Sequence, residues 1–97
     1  MKKKIITAIN YLKDAANNGK DTMAMYTLGN IYSTEKYGMY DLKTAKNWYM
    51  KSENLGNEIA SYKLGKLYLK ENEIKKSVMH LERVITNFHG THLEKFI

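Results

Sequence analysis

Ala24-Met25-Tyr26-Thr27-Leu28-Gly29-Asn30-Ile31-Tyr32 returns 36 residues later as Ala60-Ser61-Tyr62-Lys63-Leu64-Gly65-Lys66-Leu67-Tyr68, with Ala, Tyr, Leu, Gly and Tyr at the same five offsets. A period of this length marks a chain built from copies of one supersecondary unit, each leaving an apolar face for its neighbour to cover. Within each copy the Ala, the Leu and the final Tyr fall at i, i+4 and i+8, the spacing of one helical face.

A second set of positions repeats around the first. Ala8, Tyr11, Leu12, Ala15 and Ala16 are matched by Ala45, Trp48, Tyr49, Ser52 and Glu53, and then by Ser77, His80, Leu81, Val84 and Ile85, at separations of 37 and 32 residues. These positions also follow helical periodicity, so the chain is expected to alternate two kinds of helix, A and B, while a loop absorbs the change in spacing at small entropic cost. The expected order is helix B over 5–17, helix A over 22–33, helix B over 42–55, helix A over 58–70 and helix B over 74–87. Asn17-Asn18-Gly19 and Leu55-Gly56-Asn57 supply residues that tolerate the left-handed conformation ending a helix, and Asp21 and Asp41 stand where N-caps belong. Such short connections lay neighbouring helices antiparallel. Ala24, Ala60, Gly29 and Gly65 are expected to be small so that helix A can approach helix B closely, with leucines such as Leu64 filling the core.

Composition narrows the class. A chain of 97 residues makes one domain, too small to enclose a deep substrate cavity. The absence of proline and the abundance of Lys, Leu, Ala, Met and Glu favour helices over a β-sandwich or barrel. Hydrophobic residues at 43% and charged residues at 27% are ordinary for a folded globular chain and argue against disorder. Without cysteine there is neither a disulfide framework nor a thiolate metal site, which fits a reducing compartment, and a cytoplasmic location is expected. Met1-Lys2-Lys3-Lys4-Ile5-Ile6 imitates the start of a secretory signal, but Asn10, Lys13 and Asp14 interrupt the apolar run, so the segment is read as mature protein. No stretch approaches the roughly twenty apolar residues that cross a bilayer, so no membrane partner is expected. The net charge of +6, from 15 lysines and Arg83 against ten acids, favours anionic partners. Richness in Lys, Asn, Ile and Tyr hints at an AT-rich bacterial source.

Taken together, Ala24-x-Tyr26-x-Leu28-Gly29-x-x-Tyr32, then Asp41-x-x-x-Ala45-x-x-Trp48-Tyr49, then Gly56 resemble the Sel-one-like repeat, a relative of the tetratricopeptide repeat. The copy from Ala60 to Leu81 is similar but worn, and the likeness runs from Ala8 to about Gly90. The resemblance implies an all-α fold: a right-handed α/α superhelical solenoid of antiparallel helix pairs, about two and a half repeats in five helices. The divisions would be a half repeat over 1–19, one repeat over 20–57, a second over 58–90, and a tail or the start of a further repeat over 91–97, the whole being a fragment of a longer protein. The chain departs from the family in three places. The glycine-containing loop between A and B is met only loosely by Gly38 and is missing from Glu71-Asn72-Glu73; His80 stands where tryptophan is usual; Val84-Ile85 replace two alanines.

Catalytic constellations find little to build on. His89 and His92 are three apart with Glu94 nearby, but tetrahedral zinc needs three or four convergent ligands and this set offers no second liganding pair, so a solvated tail is the reading adopted. His80 falls on the inward face of the last B helix and is read as a packing residue. Ser33, Ser52, Ser61 and Ser77 have no assigned base, and Gly29 and Gly65 occur singly within helices, unlike a phosphate-cradling loop. Glu53, Glu58, Glu71 and Glu73 fall at helix ends or in turns, where helix-terminus electrostatics accounts for them. The expectation is a non-enzymatic chain with no catalytic residues, cofactor or metal.

A binding surface is easier to place. If Ala24, Leu28, Ile31 and Tyr32 point inward, Tyr26, Asn30 and Ser33 point away, and in the second copy Tyr62, Lys63, Lys66 and Lys70 are exposed. Stacked helix pairs present a concave docking surface lined by their A helices. The candidate partner-binding residues are therefore Tyr26, Asn30, Tyr62, Lys63, Lys66 and Lys70. A lysine row at helical spacing is equally what an ordinary solvated face looks like, and both readings stand at this point. The family resemblance implies a scaffold or adaptor that binds a protein or peptide, an acidic one to suit the lysines. The alternative is an accessory nucleic-acid-contacting segment of a larger DNA-processing protein, of the plasmid-mobilisation type that carries similar repeats. Lysine neutralises phosphate well, but base reading and bidentate grips favour arginine, of which there is one, so this ranks second. Self-association through exposed terminal helices is a further expectation.

Overall fold

The structure is a computed structural model that describes residues 2–92, with side chains placed through residue 86. Among these residues there are five helices and no strand: α1 Lys2–Asn18, α2 Thr22–Tyr32, α3 Leu42–Asn54, α4 Glu58–Lys70 and α5 Ile74–His92. They form two compact units that divide between Asn57 and Glu58. In the first, α2 packs against both α1 and α3; in the second, α4 packs against α5.

The caps follow the sequence closely. Asp21 accepts the amides of Met23 at 2.9 Å and Ala24 at 3.2 Å, which sets the start of α2. Asp41 does the same for α3, accepting the Thr44 amide at 3.2 Å and its hydroxyl at 2.8 Å. Those two bonds from Thr44 hold the Asp41 carboxyl below the usual carboxylate range. The folded state thus binds this proton less readily than the unfolded chain, so the cap's contribution is present above the ordinary carboxylate pKa and fades as pH falls through the lowered one.

At the other ends, Gly56 takes φ +99° just after α3, as its position predicts, and Gly38 takes φ +72° in the α2–α3 connection. Between α1 and α2 the left-handed residue is Lys20, φ 51°, rather than an asparagine or Gly19. The tight α4–α5 connection has no glycine, and Asn72 fills the role at φ 61°, where its short polar side chain lowers the steric cost.

The small residues are where close approach requires them. A methyl group at Gly29 would lie 2.8 Å from Cζ of Tyr49, and one at Gly65 would lie 2.6 Å from Cγ of Leu81. Two serines also tie helices together, one at the start of α2 and one at Gly65 itself. Ser52 in α3 donates to the Thr22 carbonyl at 2.8 Å, and Ser77 in α5 donates to the Gly65 carbonyl at 2.8 Å. Leu28, Ala45, Ala60 and Leu64 are wholly buried, as are Ala24, Trp48, Tyr49 and Tyr68 to within a tenth of their surface. Among the described residues no buried side-chain nitrogen or oxygen lacks a hydrogen-bond partner.

Two expectations need correction. Of the expected inward positions of α1, Ala16 is buried and Leu12 and Ala15 are half-buried, but Ala8 is exposed and Tyr11 is 79% exposed; Ile9, buried, and Ile5, half-buried, take their place. Ile5, Ile9, Leu12 and Ala16 are themselves spaced i, i+4, i+7 and i+11, and this local apolar stripe overrides the register carried over from α3. The last helix is also longer than expected, running to His92 rather than ending near Asn87. Gly90 weakens a helix interior by about 1 kcal/mol but does not stop it. Thr91 and His92 thus belong to α5, and the rest of the expected tail, 93–97, lies outside the described residues.

The core assignment predicts that Leu64→Ala or Leu28→Ala lowers unfolding free energy by about 2–5 kcal/mol in urea titration, whereas Ala8→Ser changes it little. A near-neutral leucine truncation would refute the helix packing described.

Candidate functional site

In the first unit Tyr49 organises the polar side of α2. Its hydroxyl donates to Oδ1 of Asn30 at 2.5 Å and lies 3.3 Å from Oγ of Ser33, which also donates to the Asn30 carbonyl at 3.1 Å. The Tyr26 ring sits 5.9 Å from the Tyr49 ring at a tilt of 49°, an edge-inclined pairing that suits two aromatic quadrupoles. Tyr26, Asn30 and Ser33 are all half-buried. They therefore turn toward α3 instead of away from the core, contrary to the expectation from periodicity. Tyr49 is long enough to lie over Gly29 and reach the last turn of α2, a reach that helical spacing alone does not disclose.

The second unit carries the rest of the expected patch on one helix. Tyr62, Lys66 and Lys70 of α4 are exposed and spaced by four, and Lys63 is half-buried beside them. Lys66 Nζ lies 5.3 Å from the Tyr62 ring centroid, so the cation and the ring face form a single feature. Ile59 and Leu69, 49% and 55% exposed, occupy the same third of the helix circumference at 3.6 residues per turn. Neither is among the positions singled out from the sequence. Their signal was available: neither falls on the stripe of Ala60, Leu64, Gly65 and Tyr68. The face of α4 thus combines three ammonium groups, one aromatic ring and two aliphatic side chains.

His80 and the serines are engaged in packing. His80 is buried and stacks on Tyr68 with ring centroids 5.4 Å apart and planes 14° from parallel, and Lys76 Nζ lies 5.5 Å from the Tyr68 centroid. Ser33, Ser52 and Ser77 hold the hydrogen bonds given above, and Ser61 is buried. Among the described residues no group of three or more His, Cys, Asp or Glu could hold a metal ion. The side chains of His89 and His92, and Glu94 entirely, lie outside the described residues. No helix among the described residues is long and apolar enough to cross a membrane.

Burial pushes the Tyr49 phenol above its ordinary pKa, with the Tyr26 phenol adding to the rise and the Ser33 hydrogen bond opposing it. The folded chain then keeps a proton that the unfolded chain releases, so this contribution is whole below about pH 10 and is lost as pH rises through the raised value. Tyr49→Phe should cost about 1 kcal/mol at neutral pH through the lost hydroxyl bonds. It should also flatten the alkaline loss of stability relative to the native chain, read from urea midpoints between about pH 8 and pH 11. Parallel pH profiles for the two proteins would contradict the burial of this hydroxyl.

No protein-family model, curated protein or solved structure matches the chain, so its functional reading rests on its own residues.

Proposed function

We propose that this chain is a non-enzymatic interaction scaffold, a solenoid of antiparallel helix pairs resembling the Sel-one-like repeat, which docks an acidic protein or peptide segment on the outward face of α4. The observation that carries the reading is the composition of that face: Lys63, Lys66 and Lys70 alongside the exposed Tyr62, Ile59 and Leu69. Aromatic and aliphatic anchors with cations beside them suit a segment whose acids alternate with apolar residues, because burial supplies affinity and charge supplies orientation.

Several features support the solenoid arrangement. Thr22 at the start of α2 meets Ser52 near the end of α3, whereas Asn30 and Ser33 at the end of α2 meet Tyr49, so their contacts run in opposite directions. The same small-against-large contact recurs in each unit, Gly29 on Tyr49 and Gly65 on Leu81. The right-handed superhelix is what the family resemblance adds. Tyr26 and Asn30 serve the α2–α3 packing in this reading, and the docking face is that of α4.

Nucleic-acid contact is the second reading, favoured by the net charge of +6 and by the exposed Tyr11, Tyr40 and Tyr62. One experiment separates the two. In affinity capture from the source lysate, the native chain should retain a discrete protein that survives nuclease treatment, and Lys63→Glu, Lys66→Glu, Lys70→Glu together should reduce recovery at least about tenfold. Unchanged recovery with the triple variant would remove α4 from the site, and loss of all bound material with nuclease would put nucleic acid first.

A further inference from the structure

We propose that the first turn of α1 and the α2–α3 connection form a binding pocket for a small organic phosphate with a flat ring body, of mononucleotide size. A cavity of about 370 Å³ lies there, lined by Lys2, Lys4, Ile5, Lys36 and Tyr37. These residues come from two stretches far apart in the chain, both within the first unit, so the fold gathers them into one place. Ile5 and Tyr37 give the cavity an apolar lining, completed by the side chains of Lys2, Lys4 and Lys36; none of these five is acidic.

Three lysines among the lining residues, with no acid beside them there, leave positive charge that a multiply charged anion would offset. Phosphate fits better than a single carboxylate, since it has three terminal oxygens and lysine acts as a separate point charge toward each. Lys36 Nζ lies 5.5 Å from the Tyr37 ring centroid, so a cation sits directly beside an aromatic surface that is 38% exposed. A ligand whose anionic group adjoins a flat ring matches that pairing, with the ring stacked on Tyr37 and the phosphate among the lysines. The volume is at the small end of ligand pockets, which suits one nucleotide and not a folded peptide. The same chemistry is presented by a free nucleoside monophosphate and by the 5′-terminal nucleotide of a single strand. The pocket shares no residue with the face of α4, so it stands or falls separately from the scaffold reading.

The test is an NMR titration of the full chain at low salt with AMP, adenosine, inorganic phosphate and a 5′-phosphorylated single-stranded oligonucleotide. AMP should shift the signals of Ile5, Lys36 and Tyr37 to saturation, with adenosine and inorganic phosphate each at least about tenfold weaker. The exposed pair Lys4→Gln and Lys36→Gln should weaken AMP at least about tenfold without altering the fold, and Tyr37→Ala should weaken AMP while leaving inorganic phosphate unchanged. Saturation by AMP alone assigns the pocket to a free nucleotide, and equal binding of the oligonucleotide assigns it to a strand end; either supports the proposal. Absence of AMP shifts at roughly millimolar ligand, equal AMP affinity in the double glutamine variant, or inorganic phosphate binding as tightly as AMP would each overturn it.

Discussion

Where α2 meets Tyr49, and again where α4 meets Leu81, one helix has no side chain at all and its neighbour lays a large one against the bare backbone. A glycine inside a helix costs about 1 kcal/mol relative to alanine, so its use twice at the same offset implies a compensating gain. The gain is proximity. With α2 drawn in, the Tyr49 hydroxyl reaches Asn30 and Ser33, and Ser52 reaches the Thr22 carbonyl; with α4 drawn in, Ser77 reaches the Gly65 carbonyl. Each of these polar groups is buried or half-buried, and such groups are tolerated only when paired. Within each unit the glycine and the polar groups around it are therefore interdependent, and removing the close approach would orphan the hydrogen bonds of that unit.

The two packing contacts also leave different surfaces in solvent. On α2 the polar side chains beside Gly29 are turned inward by Tyr49, so the helix has little outward chemistry to offer. On α4 the position facing Gly65 is occupied by aliphatic Leu81, which makes no hydrogen bond, and the helix keeps Tyr62, Lys66 and Lys70 in solvent. Tyrosine against leucine in the packing helix, together with Asn30 and Ser33 against Lys66 and Leu69 in the helix itself, thus separates a helix whose polar side chains serve its neighbour from one whose cations stay in solvent.

The helix A segments were legible because their apolar and small positions repeat twice at identical offsets, and α4 spans the residues its pattern predicts. Other features depend on information that periodicity does not carry. For α1 the set aligned with Trp48 and the local stripe share Leu12 and Ala16; where they differ, Ile5 and Ile9 are covered in place of Ala8 and Tyr11 because they are the larger aliphatic side chains. Tyr26 and Asn30 lie off the core stripe by angle, yet they are covered because a tyrosine from the next helix is long enough to reach over a glycine. Ile59 and Leu69 were hidden by their type: an apolar residue in a helix suggests core until its angle is compared with the residues that are buried. The pocket at Lys2, Lys4, Lys36 and Tyr37 joins distant segments through tertiary structure and left no motif to find.

The close approach at the glycines is the claim on which the packing, the turned-in face of α2 and the exposed face of α4 all rest. It is tested most directly by proton NMR of the two glycines. The account predicts nuclear Overhauser contacts from Gly29 Hα to the Tyr49 ring and from Gly65 Hα to the Leu81 methyls, with ring-current displacement of the Gly29 signal alone. Glycine α-protons at ordinary shifts with no contact to either side chain would show that the helices do not meet there, and the repeat-based architecture would have to be abandoned.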